Sequence, residues 1–304
     1  MKLFDLHCDT PYELYRQNKS LSKNDLHISL ERASVFDKYI QCAAVWSDNA
    51  LTDKECLESF LKITDRFEKE ADGLLIRNRK DLENSKKSAF ILTVEDARLL
   101  CSDISNLDLL YKKGVRVLTL TWGGHSTMGG AWNTDDPFTK FGEEVIYKCF
   151  SKGIIPDISH TNDKAQDRAV LIASELGKPL ISTHSNSRAV CPHKRNLTDD
   201  RAKKIASLGG IIGISLYPPH LFGDSATVSH ITDHIAHYIN ITGTSSVCLG
   251  CDFDGIDKTP KKIENLGDLP CLYDAVSARF NEDIAEKVFF KNAYNFFKNN
   301  LPQG

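Results

Sequence analysis

The stretch KLFDLHCDTP, residues 2–11, decides how the rest of the chain is read. It opens as a short apolar run, 3–8, of the kind that forms a buried strand, and it ends in His7-Cys8-Asp9. Side chains along a strand alternate between two faces, so His7 and Asp9 share a side, bringing an imidazole and a carboxylate toward one point. Polar residues closing an apolar strand have a natural place in a closed parallel barrel, where chemistry gathers at the C-terminal ends of the strands.

Outward from this stretch the same pattern repeats. Apolar, β-branched runs lie at 40–46, 89–94, 115–121, 154–158, 180–183, 210–216 and 247–250, which with the first makes eight candidate strands. Between most of them run amphipathic helical patterns such as 52–70 and 143–152; Thr52 with Glu55 is a full capping signal, and Thr198, followed by two acids, is a partial one. Strands that read as nearly continuous apolar runs, alternating with helices, form a parallel sheet covered on its outer face. Eight such units predict an α/β fold, a (β/α)8 TIM-like barrel, as a single domain over 1–304. Neither GxGxxG nor GxxxxGK[ST] occurs, so a nucleotide-binding open sheet has no support.

The bulk numbers agree. With 304 residues and 41% hydrophobic content the chain can fill one barrel core. Its 38 basic and 41 acidic residues, a formal net charge of -3, offer no field for nucleic acid or an anionic membrane, and a small neutral or zwitterionic partner fits better. Asp5, His7 and Asp9 interrupt the place where a secretory signal needs an unbroken apolar core, and no run approaches membrane-spanning length, so the expected location is cytoplasmic. Nine cysteines occur without CxxC pairs, and Cys42, Cys248 and Cys251 sit in strand-like runs, which reads as reduced, structural thiols.

At the strand ends the polar residues accumulate. The third run ends in Glu95, the fifth in His160, the sixth in His184 and the eighth in Asp252. A lone histidine is more often a satisfied core or surface residue than a ligand. Three of ten histidines on one rim, together with carboxylates, are the donor set of a divalent cation, and mixed nitrogen and oxygen ligation suits zinc best among first-row metals. Five ligands, His7, Asp9, Glu95, His160 and His184, suit two ions roughly 3.5–4 Å apart, bridged by Glu95 and a hydroxide. Asp252 is then free to shuttle a proton. His230, His234 and His237 lie at helical spacing without an HExxH glutamate and read as helix-surface or packing residues, with His230 expected near the active-site mouth. Arg195, beside His193 and Lys194, reads alone as a solvated helix entrance. The glycine-rich loop 123–132, flanked by Trp122 and Trp132, reads as a substrate-side wall.

Taken in order, DLHCDTP at 5–11, TVEDA at 93–97, GVRVLTLTW at 114–122, PDISH at 156–160, PLISTHSNSRAV at 179–190, KRN at 194–196 and GCDFDG at 250–255 resemble, nearly end to end, the membrane dipeptidase (renal dipeptidase) family of binuclear zinc peptidases within the amidohydrolase-like barrels. The resemblance implies that His7 and Asp9 hold one zinc, His160 and His184 the other, and that Glu95 bridges them. It implies also that Arg195 pairs with the C-terminal carboxylate of a dipeptide, as a planar guanidinium can do bidentately, and that Asp252 is the catalytic acid/base. One position departs. Better-known members carry a histidine after the LTLT strand, thought to hold the scissile carbonyl oxygen, where this chain has Trp122. Either His125 takes over the electrophilic role or the metal polarises the carbonyl alone. Trp122, His125, Tyr217 and Arg195 are the expected substrate contacts. The expectation is therefore zinc-dependent hydrolysis of small dipeptides, those with a C-terminal D-residue included, by a chain that could pair as a homodimer. The alternatives are a related barrel metallohydrolase acting on N-acyl amino acids or other small amides, and a non-catalytic barrel that binds small peptides.

Overall fold

The computed structural model describes all residues from Met1 to Gly304. Seven parallel strands form one curled sheet: β1 (Lys2–Asp5), β2 (Lys38–Trp46), β3 (Ser88–Glu95), β4 (Val117–Thr119), β5 (Ile155–Asp157), β6 (Ile212–Ile214) and β7 (Val247–Leu249). Their order is β5-β4-β3-β2-β1-β7-β6, and every pairing is parallel. The sixth expected run, 180–183, forms no ladder strand. It closes the ring through single bridges, Asp157 to Ile181 and Ser182 to Ile212. The end of this run packs tightly on its neighbours, for a Cβ at Gly213 or Gly250 would come within 1.8 and 1.7 Å of the Thr183 carbonyl oxygen. Only glycine allows the backbones to meet so closely.

The helices follow their local signals. Thr52 and Glu55 form a reciprocal capping box ahead of the helix Asp53–Glu70. The helix expected from residue 143 begins earlier, at Lys140, because Thr139 accepts the Gly142 N–H. Thr198 does start the helix Asp199–Ser207, but its hydroxyl accepts from Arg201 instead of capping the backbone. All nine cysteines are free and six are buried.

The two ends of the ring differ. At the N-terminal ends of the strands Phe4, Ile40, Ile91, Val117 and Ile155 form an apolar layer, plugged by Phe296, Phe297 and Leu301 at the end of the last helix, Asn292–Asn300. Phe4 and Phe297 stack with centroids 5.0 Å apart. The C-terminal ends carry the polar residues.

Candidate metal centre and substrate cavity

Two aspartates shape this mouth. β1 stops at Asp5, whose carboxylate accepts the His7 N–H at 2.9 Å, the Gln41 amide at 3.0 Å and the Cys251 N–H at 3.0 Å. Asp157 repeats the device at the end of β5, accepting the Ser159 and Thr183 N–H groups at 2.9 Å and the Thr119 and Thr183 hydroxyls at 2.6 Å. In each case a strand-terminal carboxylate captures the amide two residues on, bends the chain and delivers a histidine to the mouth. His7 and Asp9 thus converge as expected, but not by continuing β1. The alternation is set locally, around a bridge from Cys8 to Phe253.

Four loop residues at this end, Asp96, His160, Asp252 and Asp254, hold left-handed φ values of 81, 65, 66 and 66°. Non-glycine residues adopt this conformation at a cost, and it concentrates where a side chain must be aimed. Gly255 makes room for the result: a Cβ there would lie 2.1 Å from Asp9 Oδ2 and 2.7 Å from Asp252 Oδ1.

The five expected ligands meet. His7 Nε2 lies 3.5 Å from Asp9 and 3.6 Å from Glu95, while Glu95 Oε1 lies 2.8 Å from His160 Nε2 and 3.4 Å from His184 Nε2. Asp252 joins at 3.7 Å from His7. These atoms form overlapping groups whose members lie within 4.8 Å of one another, with Glu95 shared between the His7-Asp9 pair and the His160-His184 pair. The His160 and His184 Nε2 atoms face each other at 2.7 Å. His7 Nε2 and Asp9 Oδ1 are buried without a hydrogen-bond partner. Buried polar atoms are ordinarily satisfied, so orphaned lone pairs aimed at one point fit metal ions. Thr183 Oγ1, which donates to Asp157, lies 2.8 Å from His184 Nδ1, an outer contact that can hold the ring with Nε2 turned inward.

The electrostatics match. Burial raises the Glu95 carboxyl to about 8, with Asp9 pushing the same way and His7 opposing. Burial also raises Asp252 to about 7, against the pull of His7. Burial alone would lower His7, but Glu95 and Asp9 override it and hold it well above the usual range. His160 and His184 are held well below that range by burial and neighbouring cations.

Over this floor stands a cavity of about 450 Å³. One wall is a ladder of rings, Tyr12 on Trp46 at 5.1 Å, Trp46 on Trp122 at 5.3 Å and Trp122 on His160 at 5.9 Å. Tyr217, Trp132 and Ile256 also line it, as does Arg195, which is 3% exposed. Arg195 Nε and Nη2 find no acceptor, and Nη1 reaches only Ser185 Oγ at 3.5 Å. Burial pulls this guanidinium down to about 10 despite Asp252 and Glu95. Arg195 is therefore not a solvated surface residue.

His125 is not brought to the cavity. Its side chain is 81% exposed and pairs with Asp136 at 2.5 Å on the outer loop. His230 caps its own helix at Thr227 and stacks on Phe222, away from the lining. His234 and His237 are engaged with Ser187 and Asp199. Tyr12, Trp46 and His220 also line the cavity, though no sequence motif marks them, as does Asp254 of the GCDFDG motif. His220 carried a usable signal, a polar residue shortly after the apolar run 210–216, hidden by the intervening Pro218-Pro219.

The chain has relatives in sequence and in fold. Human Dipeptidase 3 is 30% identical over 234 residues, 74% of this chain and 47% of that protein. Dipeptidase aclJ of Aspergillus oryzae is 32% identical over 189 residues, 60% of this chain and 44% of that protein. The chain spans about half the length of these curated relatives. The fold is that of a metallo peptidase from Rhodobacter sphaeroides solved with a phosphinate mimic of the dipeptide L-Ala-D-Ala, with a TM-score of 0.89 at 22% identity over 99% of both chains. The description of one family, "Membrane dipeptidase (Peptidase family M19)", matches residues 1–300, and the chain belongs to that family.

Proposed function

We propose that this chain is a dipeptidase that holds two zinc ions and hydrolyses the peptide bond of small dipeptides. The observation that carries the reading is the pairing, in one cavity, of five converging donor side chains with a buried guanidinium that has no acceptor of its own. A site of this size with a few convergent polar groups suits a small ligand, and a dipeptide carboxylate is the anion that Arg195 lacks. His7 and Asp9 would hold one ion, His160 and His184 the other, and Glu95 both.

Bound zinc lowers the pKa of water toward neutrality and polarises a carbonyl. The chain's own residues do the rest. Arg195 fixes the carboxylate end, and the rings of Tyr12, Trp46 and Trp122 exclude bulk water from one side. As the water oxygen bonds to the carbonyl carbon, Asp252 Oδ takes its proton and passes it to the amine nitrogen when the C–N bond breaks. With His125 on the outer loop, no imidazole follows β4 into the cavity to replace the family's histidine.

A cytosolic setting belongs to the same proposal, supported by nine free thiols, which a reducing compartment maintains. No helix of the chain is long and apolar enough to cross a membrane.

The decisive experiment combines metal analysis of protein purified without added zinc with a panel of dipeptides, including C-terminal D-residues, and N-acyl amino acids. Two equivalents of zinc and turnover of dipeptides are expected. Metal-free protein inert toward every dipeptide would remove the proposal, and faster turnover of N-acyl amino acids would move it to that substrate class.

A further inference from the structure

The chain has ten histidines, and three of them form the metal cluster. Six of the other seven engage a ring nitrogen with protein: His27 with the Asp254 N–H, His125 with Asp136, His193 with the Arg195 N–H, His230 with the Thr227 N–H, His234 with the Ser187 N–H and His237 with Asp199. His220 is the exception, and it lines the cavity.

Its position is held without use of its ring nitrogens. The backbone N–H bonds to Tyr217 at 3.0 Å, and the carbonyl accepts from Asn196, the residue after Arg195, at 2.9 Å. The ring packs between His193 at 4.5 Å and, edge-on, Tyr217 at 4.8 Å. Rigid placement with free polar atoms is what a binding group needs, since little entropy is lost when a ligand arrives. Burial, with the Arg195 and His193 charges adding to it, pushes the imidazole down to about 2, so the ring is neutral and keeps one N–H to donate. Of the charges that bear on it Arg195 is the largest, and beside that cation an incoming anion is favoured and a second cation would be repelled.

We propose that His220 is a substrate-binding residue that donates a hydrogen bond to the C-terminal carboxylate of the substrate, completing with Arg195 a clamp of two donors. The inference rests on the dipeptidase reading and deepens it by assigning the second carboxylate contact. A neutral donor beside a fixed cation strengthens anion binding without adding a second buried charge to desolvate.

The test compares wild type, His220→Ala and His220→Gln in the zinc-loaded protein. Each is given a dipeptide and its C-terminal amide, and calorimetry measures binding of the phosphinate analogue of L-Ala-D-Ala against the amide of that analogue. In His220→Ala the preference for free carboxylate over amide should fall about tenfold, through KM and through affinity alike, as expected for loss of one hydrogen bond to a charged group, and His220→Gln should recover part of it. A preference that stays at the wild-type ratio in both measurements overturns the clamp, and so does an equal loss on acid and amide, which is what a merely structural histidine would give. Absence of dipeptide turnover in wild type would fail the dipeptidase reading instead. The calorimetric ratio still decides His220 in that case, and a wild type that binds neither analogue overturns it.

Discussion

The two ends of the barrel are built from the same strands and obey opposite rules. At the N-terminal end Phe4, Ile91, Val117 and Ile155 meet Phe296 and Phe297 in an apolar layer without a carboxylate, an imidazole or a basic group. At the C-terminal end, a few residues along the same chains, Asp9, Glu95, His7 and His184 are as deeply buried, at 1–5% exposure, and some of their atoms lack partners. Burial at the first end is favourable in itself, whereas at the second it is unfavourable until charge is supplied. The contrast shows where this fold keeps stability and where it keeps chemistry, so changes at the two ends should separate cleanly.

The largest effect is expected at the polar end. Asp252→Asn removes the proposed proton carrier but leaves the five proposed ligands, so kcat/KM should fall about a thousandfold with zinc content and Tm retained. A variant with near-normal turnover and unchanged metal would break the assignment of Asp252. The counterpart at the apolar end is Phe297→Ala, which empties the stack on Phe4. It should destabilise by about 3–4 kcal/mol in denaturant titrations while leaving kcat intact below the new Tm. Loss of kcat in step with stability would mean the two ends are not independent.

Smaller in effect is Arg195→Met, which replaces a buried cation without an acceptor by an apolar side chain. Hydrolysis of free dipeptides should drop about a hundredfold relative to C-terminal amides. Equal losses on both would take Arg195 out of the clamp. The smallest expected effect is a slope with pH. The folded-state values of Glu95, about 8, and Asp252, about 7, lie above those of the unfolded chain. Their contribution is complete below the unfolded pKa, about 4, and is lost as pH rises through 7 and 8. The depressed His160 and His184 act with the other sign, but only as pH falls below about 6.5. Chelator-treated protein should therefore show a Tm that declines between about pH 6.5 and 8. Restored zinc should abolish that decline, and a metal-free Tm that is flat or rising across the interval would contradict the buried-carboxylate account.

Much of the polar end was legible in the chain because a strand's alternation and its terminus are local properties. His7, Asp9, Glu95, His160 and His184 follow apolar runs, and a closed parallel sheet brings such termini together whatever their distance in sequence. The apolar plug was less legible. No motif marks residues 292–300, and nothing local says that Phe297 stacks on Phe4.

By itself the sequence determined the alternation of strands and helices, the rim on which the candidate ligands lie and the order of the motifs, since these depend on periodicities of a few residues. Only the tertiary structure decided that Asp5 and Asp157 bend the chain to aim the histidines, that the sixth run closes the ring by bridges alone, and that His220 reaches the cavity while His125 faces solvent. Those outcomes turn on which backbone amides and rings from distant segments meet, and such long-range complementarity leaves no repeating mark along a single chain.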